Sequence, residues 1–175
     1  MRKTKDLAPY IEMALKRGVD DAVVVATSQV VTAAWVRMKC QFGCVGYGQS
    51  LCCPPRTPTH GEMREILDSY SRAILFHRHI SEGSKKVARI SEIAVDVELA
   101  LFLAGYYKAW TLASGPCGRC KACSMDACVH ADRARPSMEA CGIDVFATAR
   151  GCGLPIQVVK DYRDERNFYA LVLVD

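Results

Sequence analysis

The sequence lacks any apolar run long enough to cross a bilayer. Its longest apolar stretch, from Ile93 to Gly105, is interrupted by Asp96 and Glu98, whereas a spanning helix needs about 20 predominantly apolar residues. The charged start Met1-Arg2-Lys3-Thr4-Lys5-Asp6 leads into a segment broken by Glu12, Lys16 and Arg17, with none of the apolar core of a signal peptide. These absences predict no membrane partner and a cytoplasmic location. One-sided charge is also missing. The chain carries 23 basic and 19 acidic residues, net +4, too mildly basic to mark a polyanion binder by itself. No internal repeat, low-complexity tract or linker divides it, aromatics are few, and 175 residues suit one domain spanning 1–175 with a sizeable core. Catalytic signatures are absent too. Gly43-x2-Gly46-x-Gly48 lacks the spacing of a dinucleotide fingerprint and no helix follows it directly. No Ser-His-Asp or paired-carboxylate pattern can be recovered, so the sequence leaves open whether the protein is an enzyme.

What the chain does have is ten cysteines. In a short secreted chain they would suggest a disulfide framework. In reducing cytosol, grouped cysteines more often bind metal or do redox chemistry. Cys117, Cys120, Cys123 and Cys128 stand in C-x2-C-x2-C-x4-C spacing. Two-residue gaps let a tight turn aim successive sulfurs at one centre, as in the three-cysteine run of bacterial ferredoxins. A structural zinc site usually pairs two C-x2-C knuckles across a longer insert. This spacing therefore favours a 4Fe–4S cluster, with zinc as the alternative. The first group holds Cys40 and Cys44, then Gly46 and Gly48, then Cys52-Cys53-Pro54-Pro55. Glycine permits the φ > 0 turns needed to wrap a bulky centre. Neighbours in extended chain face opposite ways, so Cys52 and Cys53 are not expected to ligate one metal together. Three thiols would leave one metal corner open to a small ligand. Cys141 and Cys152 stand alone and read as buried small hydrophobes, with Cys141 also a possible fourth ligand for the first group.

The elements alternate. Helices are predicted over Lys5–Arg17, from the capping-box spacing of Thr59-His60-Gly61-Glu62 to Tyr70, over Ser84–Gly105 and over Asp144–Arg150. Val87, Ile90, Ile93, Val97, Leu101 and Ala104 give the long helix its buried stripe. Strands are predicted at Asp21–Thr27, which reads as buried, and at Ala73–His79, Tyr107–Ala113, Ile156–Lys160 and Phe168–Val174. A further extended piece is expected at Ala33–Met38. This pattern predicts an α/β fold, with α+β as the alternative: a mixed or mostly parallel sheet covered by helices, with two cysteine-rich metal-binding loops after strands.

Arg119, Lys121, Arg133 and Arg135 flank the second group, and Arg37, Lys39 and Arg56 the first. They are expected to offset the negative charge of thiolate-bound clusters rather than to bind nucleic acid, bringing the loaded protein close to neutral. His77 and His79 share one strand face and read as a solvated strand end. His60 falls in a helix first turn and His130 in a loop. Arg135-Pro136-Ser137-Met138-Glu139 could start a helix that packs a side chain against the cluster.

The joint pattern resembles a known family. Its parts are Lys39-Cys40-x3-Cys44, then Cys53-Pro54-Pro55, then Gly115-Pro116-Cys117-x2-Cys120-x2-Cys123-x4-Cys128. Ala134-Arg135-Pro136-Ser137-Met138-Glu139-Ala140 and Gly142-Ile143-Asp144-Val145 follow. The combination, from about Asp21 to the C-terminus, is similar to the predicted metal-binding proteins of domain of unknown function 2284, common in anaerobic archaea and bacteria. The resemblance implies that Cys40, Cys44, Cys53, Cys117, Cys120, Cys123 and Cys128 ligate metal, and it implies no particular reaction. Cys52 falls outside that set. The expectation is an iron–sulfur protein for electron transfer or small-ligand chemistry at an open three-cysteine centre, served by a redox partner protein. A zinc-stabilised interaction module and a metallocofactor assembly or delivery protein are the alternatives.

Overall fold

A strand over Arg72–Ile80 has apolar side chains on both sides, and the architecture follows from covering both. The computed structural model describes residues 6–84, 89–161 and 163–175. Its helices are α1 (Ala8–Lys16), α2 (Ala34–Gly43), α3 (His60–Asp68), α4 (Ile90–Leu103) and α5 (Val145–Gly151). Its strands are β1 (Asp21–Ala26), β2 (Arg72–Ile80), β3 (Trp110–Leu112) and β4 (Arg166–Leu173), with 3-10 turns at Thr27–Gln29 and Glu139–Cys141.

The strands form one sheet in the order β1-β2-β4-β3, with every neighbouring pair antiparallel. This corrects the expected mixed or mostly parallel sheet: the fold is α+β. The reason is visible in the order. β2 and β3 do run the same way, joined through α4 as a crossover would join them, but β4 lies between them and opposes both. The apolar runs that suggested parallel strands come from two-sided cover. Ile74, Phe76, Ala170 and Val172 pack with Ala14 of α1 and Ala94, Val97 and Leu101 of α4. Ala73, Leu75, Leu171 and Leu173 face the other way, onto Met63 and Leu67 of α3, Ala149 of α5 and the segment carrying Met138, Cys141 and Ile143. The strict alternation along β2 and β4 is the period-2 signature of a strand.

Local chemistry sets the helix ends. Thr59 accepts from the Glu62 amide (3.3 Å) while Glu62 accepts from the Thr59 amide (2.7 Å), the reciprocal capping box expected there. Asp144 accepts from the Ala147 amide at 2.9 Å and opens α5. Other expectations need correction. Ala33–Met38 is not extended, because 34–43 is helical, as its Ala, Arg, Met, Lys and Gln content allows. The strand expected at Asp21–Thr27 forms over Asp21–Ala26 and is an edge strand rather than a buried one, with Val24 exposed. Ile156–Lys160 forms no strand. The long helix begins at Ile90. Ile90, Ile93, Val97 and Leu101 are its buried stripe, while Val87, like Lys5, lies outside the described residues. His77 is not solvated. It is buried, bonded to Asp21 and Asn167 at 2.7 Å each, and stacked on Tyr169. Among the described residues no helix is long and apolar enough to cross a membrane.

Candidate metal centre

The first cysteine group starts on a helix, not after a strand. Cys40 lies in the last turn of α2 and Cys44 is its C-cap residue, so the four-residue step puts both on one helix face. A run of tight turns follows: Tyr47 donates to Cys44 O, Gln49 to Gly46 O, Cys53 to Ser50 O and Arg56 to Cys53 O, each at 3.0–3.1 Å. Gly48 sits at φ +73° within it, a conformation that glycine adopts without strain. The exit is held by Arg37 of α2, whose guanidinium reaches Thr57 Oγ1, Pro58 O and Ala140 O, each at 3.0 Å.

The second group lies in the excursion between β3 and the 3-10 turn. Its two ends meet where Ala113 N donates to Pro136 O (2.7 Å) and Met138 N to Ala113 O (3.0 Å). Three arginines tie this excursion to α4. Arg119 pairs with Glu92 at 2.5 Å, and Arg133 with Glu92 and Asp96 at 3.1 and 2.8 Å. Arg135 forks onto Glu98 at 2.6 and 2.9 Å, stacks over Trp110, and donates to Ala131 O, Asp132 O and Ala134 O. These arginines answer carboxylates of α4, while Arg119 also lies, with Lys121, on the wall of the thiol-lined cavity. The signal was present in Glu92, Asp96 and Glu98, acidic residues of a mainly apolar helix.

The two loops close on one another. Cys52 and Cys53 from the first, and Cys117, Cys120, Cys123 and Cys128 from the second, line a single cavity of about 450 Å³. Sequence separation hid this. Residues 50–53 turn rather than extend, so the expected opposite facing of Cys52 and Cys53 does not hold and both meet the cavity. Burial, repulsion from Cys117, a hydrogen bond with Cys117 and repulsion from Cys128 and Cys53 push the Cys52 thiol up to about 12. Cys53 is raised by burial and by Cys44, Cys117 and Cys123, against a hydrogen bond from Ser50. Burial, Cys44 and Glu139 raise Cys40, against Arg37. The Cys53 thiol is thus close enough to feel both Cys44 and the second group.

Cys40 and Cys44 also open on a second cavity of about 640 Å³, whose wall includes Glu139. Glu139 is exposed as a residue, while desolvation of its carboxyl raises the pKa against hydrogen bonds from its own amide and from Ser137. Cys141 is fully buried among Met138 and Ile143, and burial lifts its thiol to about 12. Cys152 is half-buried on the same core. His130 is exposed at the rim of the first cavity with Lys121, and His60 is exposed in the first turn of α3.

Thiols are soft donors suited to zinc, Cu(I) or iron–sulfur centres, and those facing the cavity outnumber the other metal-binding side chains on its wall. Among the described residues, no three His, Cys, Asp or Glu side chains already converge as a metal-holding group. The thiols surround a space instead. The family model for predicted metal-binding proteins (DUF2284) matches residues 23–174. The chain belongs to this family. The matched span includes every cysteine described above, and the family's description specifies metal without saying which. No curated protein and no solved structure matches the chain.

Proposed function

We propose that the chain is a cytoplasmic iron–sulfur protein of redox function, folded as one domain, with Cys40, Cys44, Cys53, Cys117, Cys120, Cys123 and Cys128 as its ligands. The observation that carries this is the meeting of two loops distant in sequence, which line one 450 Å³ cavity with six thiols. That is more sulfur, in a larger space, than one tetrahedral zinc requires. When bound, a 4Fe–4S centre supplies one-electron transfer. The chain's own residues supply the rest. Arg37 fixes the exit of the first loop, and Arg119, Arg133 and Arg135 fix the second against α4. Cys44 is exposed beside exposed Phe42 and Val45, which is where a redox partner protein would approach.

The test is anaerobic purification followed by iron, acid-labile sulfide and zinc analysis. Iron and sulfide in comparable amounts, lost in Cys117→Ser, are expected. A colourless protein holding stoichiometric zinc would overturn the reading in favour of a zinc-stabilised module. Ready transfer of the metal to a chelator without unfolding would favour a metal-delivery role.

A further inference from the structure

The cavity beside Cys40 and Cys44 is separate from the thiol-lined one and has a different wall. It is about 640 Å³, inside the range of pockets that take small organic molecules. Trp35, Phe146, Phe168 and Tyr169 give it aromatic faces, and Ile143, Val145, Ile156, Val158 and Val159 fill the gaps between them. Its polar residues are mostly engaged already. Asn167 donates to Gln157 and bonds His77, and Gln157 donates to Glu165. Asp144 caps α5, the Tyr169 hydroxyl donates to Pro155 O, and Lys39 lies over the Trp35 ring. Ser114 and Glu139, the latter hydrogen-bonded by Ser137 and its own amide, complete the small polar share of the wall.

A wall of this kind selects its occupant. No arginine lines the cavity, so a phosphate or polycarboxylate would lose hydration without gaining a bidentate partner. An apolar ring system would gain contact with the aromatic faces and release water from them. We propose that this cavity binds a small, uncharged, mainly apolar organic molecule and holds it beside Cys40 and Cys44. Binding follows from the cavity alone. That the molecule thereby lies against a metal centre rests on the proposed function above.

The test uses the anaerobically purified full chain and the neutral fluorophore N-phenyl-1-naphthylamine. Saturable fluorescence enhancement is expected, with energy transfer from Trp35. That transfer is lost in Trp35→Phe and kept in Trp110→Phe. Val158, exposed at the cavity wall, tolerates substitution without disturbing the core, and Val158→Glu combined with Val159→Glu is expected to weaken binding at least about tenfold. Leu103→Glu, on an exposed position of α4, is expected to leave it unchanged. Absence of saturable binding, unaltered affinity in the double glutamate variant, or enhancement without transfer from Trp35 would each overturn the proposal. Metal analysis of the same sample judges the proposed function independently. Probe binding to a metal-free chain leaves the cavity standing and refutes the metal reading, and metal without probe binding does the reverse.

Discussion

Removing the Arg135 side chain should be among the most damaging single changes in the molecule. Arg135 and Glu98 retain only 7% and 10% of their side-chain exposure. Glu98 accepts two bonds from Arg135 and one from the Thr111 amide at 2.8 Å. Arg135→Ala therefore strands a buried carboxylate on a single donor, a situation that costs about 3–5 kcal/mol when one partner of a buried pair is deleted. It also frees three carbonyls just beyond Cys128. For a chain of this size that corresponds to a fall in Tm of roughly 6–20 °C. Replacing both partners, as Glu98→Leu with Arg135→Met, frees the same three carbonyls but removes the stranded charge, and the newly unpaired Thr111 amide costs about 1–3 kcal/mol. The double variant should therefore be more stable than Arg135→Ala. Urea unfolding of the wild type, Arg135→Ala and the double variant measures this directly, and metal content reads whether the loop still presents Cys128. If Arg135→Ala stays within about 1 kcal/mol of wild type, or the double variant is the less stable, the account of Arg135 as the anchor of the loop is wrong.

Three further outcomes are expected. Gly142 adopts φ +76°, and a Cβ there would lie 2.8 Å from His60 Cα, so Gly142→Ala should destabilise by about 1–3 kcal/mol in thermal unfolding; a neutral result would mean that α3 shifts freely. Desolvation pushes the Glu92 carboxyl up, but hydrogen bonds from Arg119 and Arg133 outweigh it and hold the pKa below 4.5. The stability gap between wild type and Glu92→Gln should therefore persist above about pH 4.5 and close as pH falls through the lower folded value; a gap indifferent to acid would break the assignment. Cys53→Ser should cost more metal than Cys52→Ser, because the Cys53 thiol feels both Cys44 and the second group; equal losses would bring Cys52 into the ligand set.

Much of the framework was legible because it depends on local rules. The capping box at Thr59, the Asp144 cap and the buried stripe of α4 are written in neighbouring residues. The order of the sheet is not. β4 inserts between β2 and β3 from the far end of the chain, and a helix between two strands reads the same whether or not a third strand later separates them. An extended piece over Ala33–Met38 leading into Cys40 is the sequence expectation, yet this segment is helical and keeps Trp35 and Met38 on its exposed side. At the site, the spacing grouped the cysteines into two loops, but the closure of those loops on one cavity is a long-range contact that no spacing encodes. His77 looked solvated because its partners Asp21 and Asn167 come from two other strands.

The arginines show why the thiols can meet at all. A loop rich in glycine, proline and cysteine has little apolar surface to bury, so its position must be fixed by polar contacts to something rigid. Here the two loops are fixed from opposite faces of the sheet. α4, packed on one face, holds the second loop through Arg119, Arg133 and Arg135. On the other face Arg37 ties the first loop to Ala140, next to the core residues Met138 and Cys141. The segment from Ala113 to Ser137 begins at β3, the edge strand beside β4, and returns to it. The cavity therefore forms where two separately braced loops come together. These braces involve no thiol, so the cysteines are brought near one another by contacts that would not depend on a bound metal.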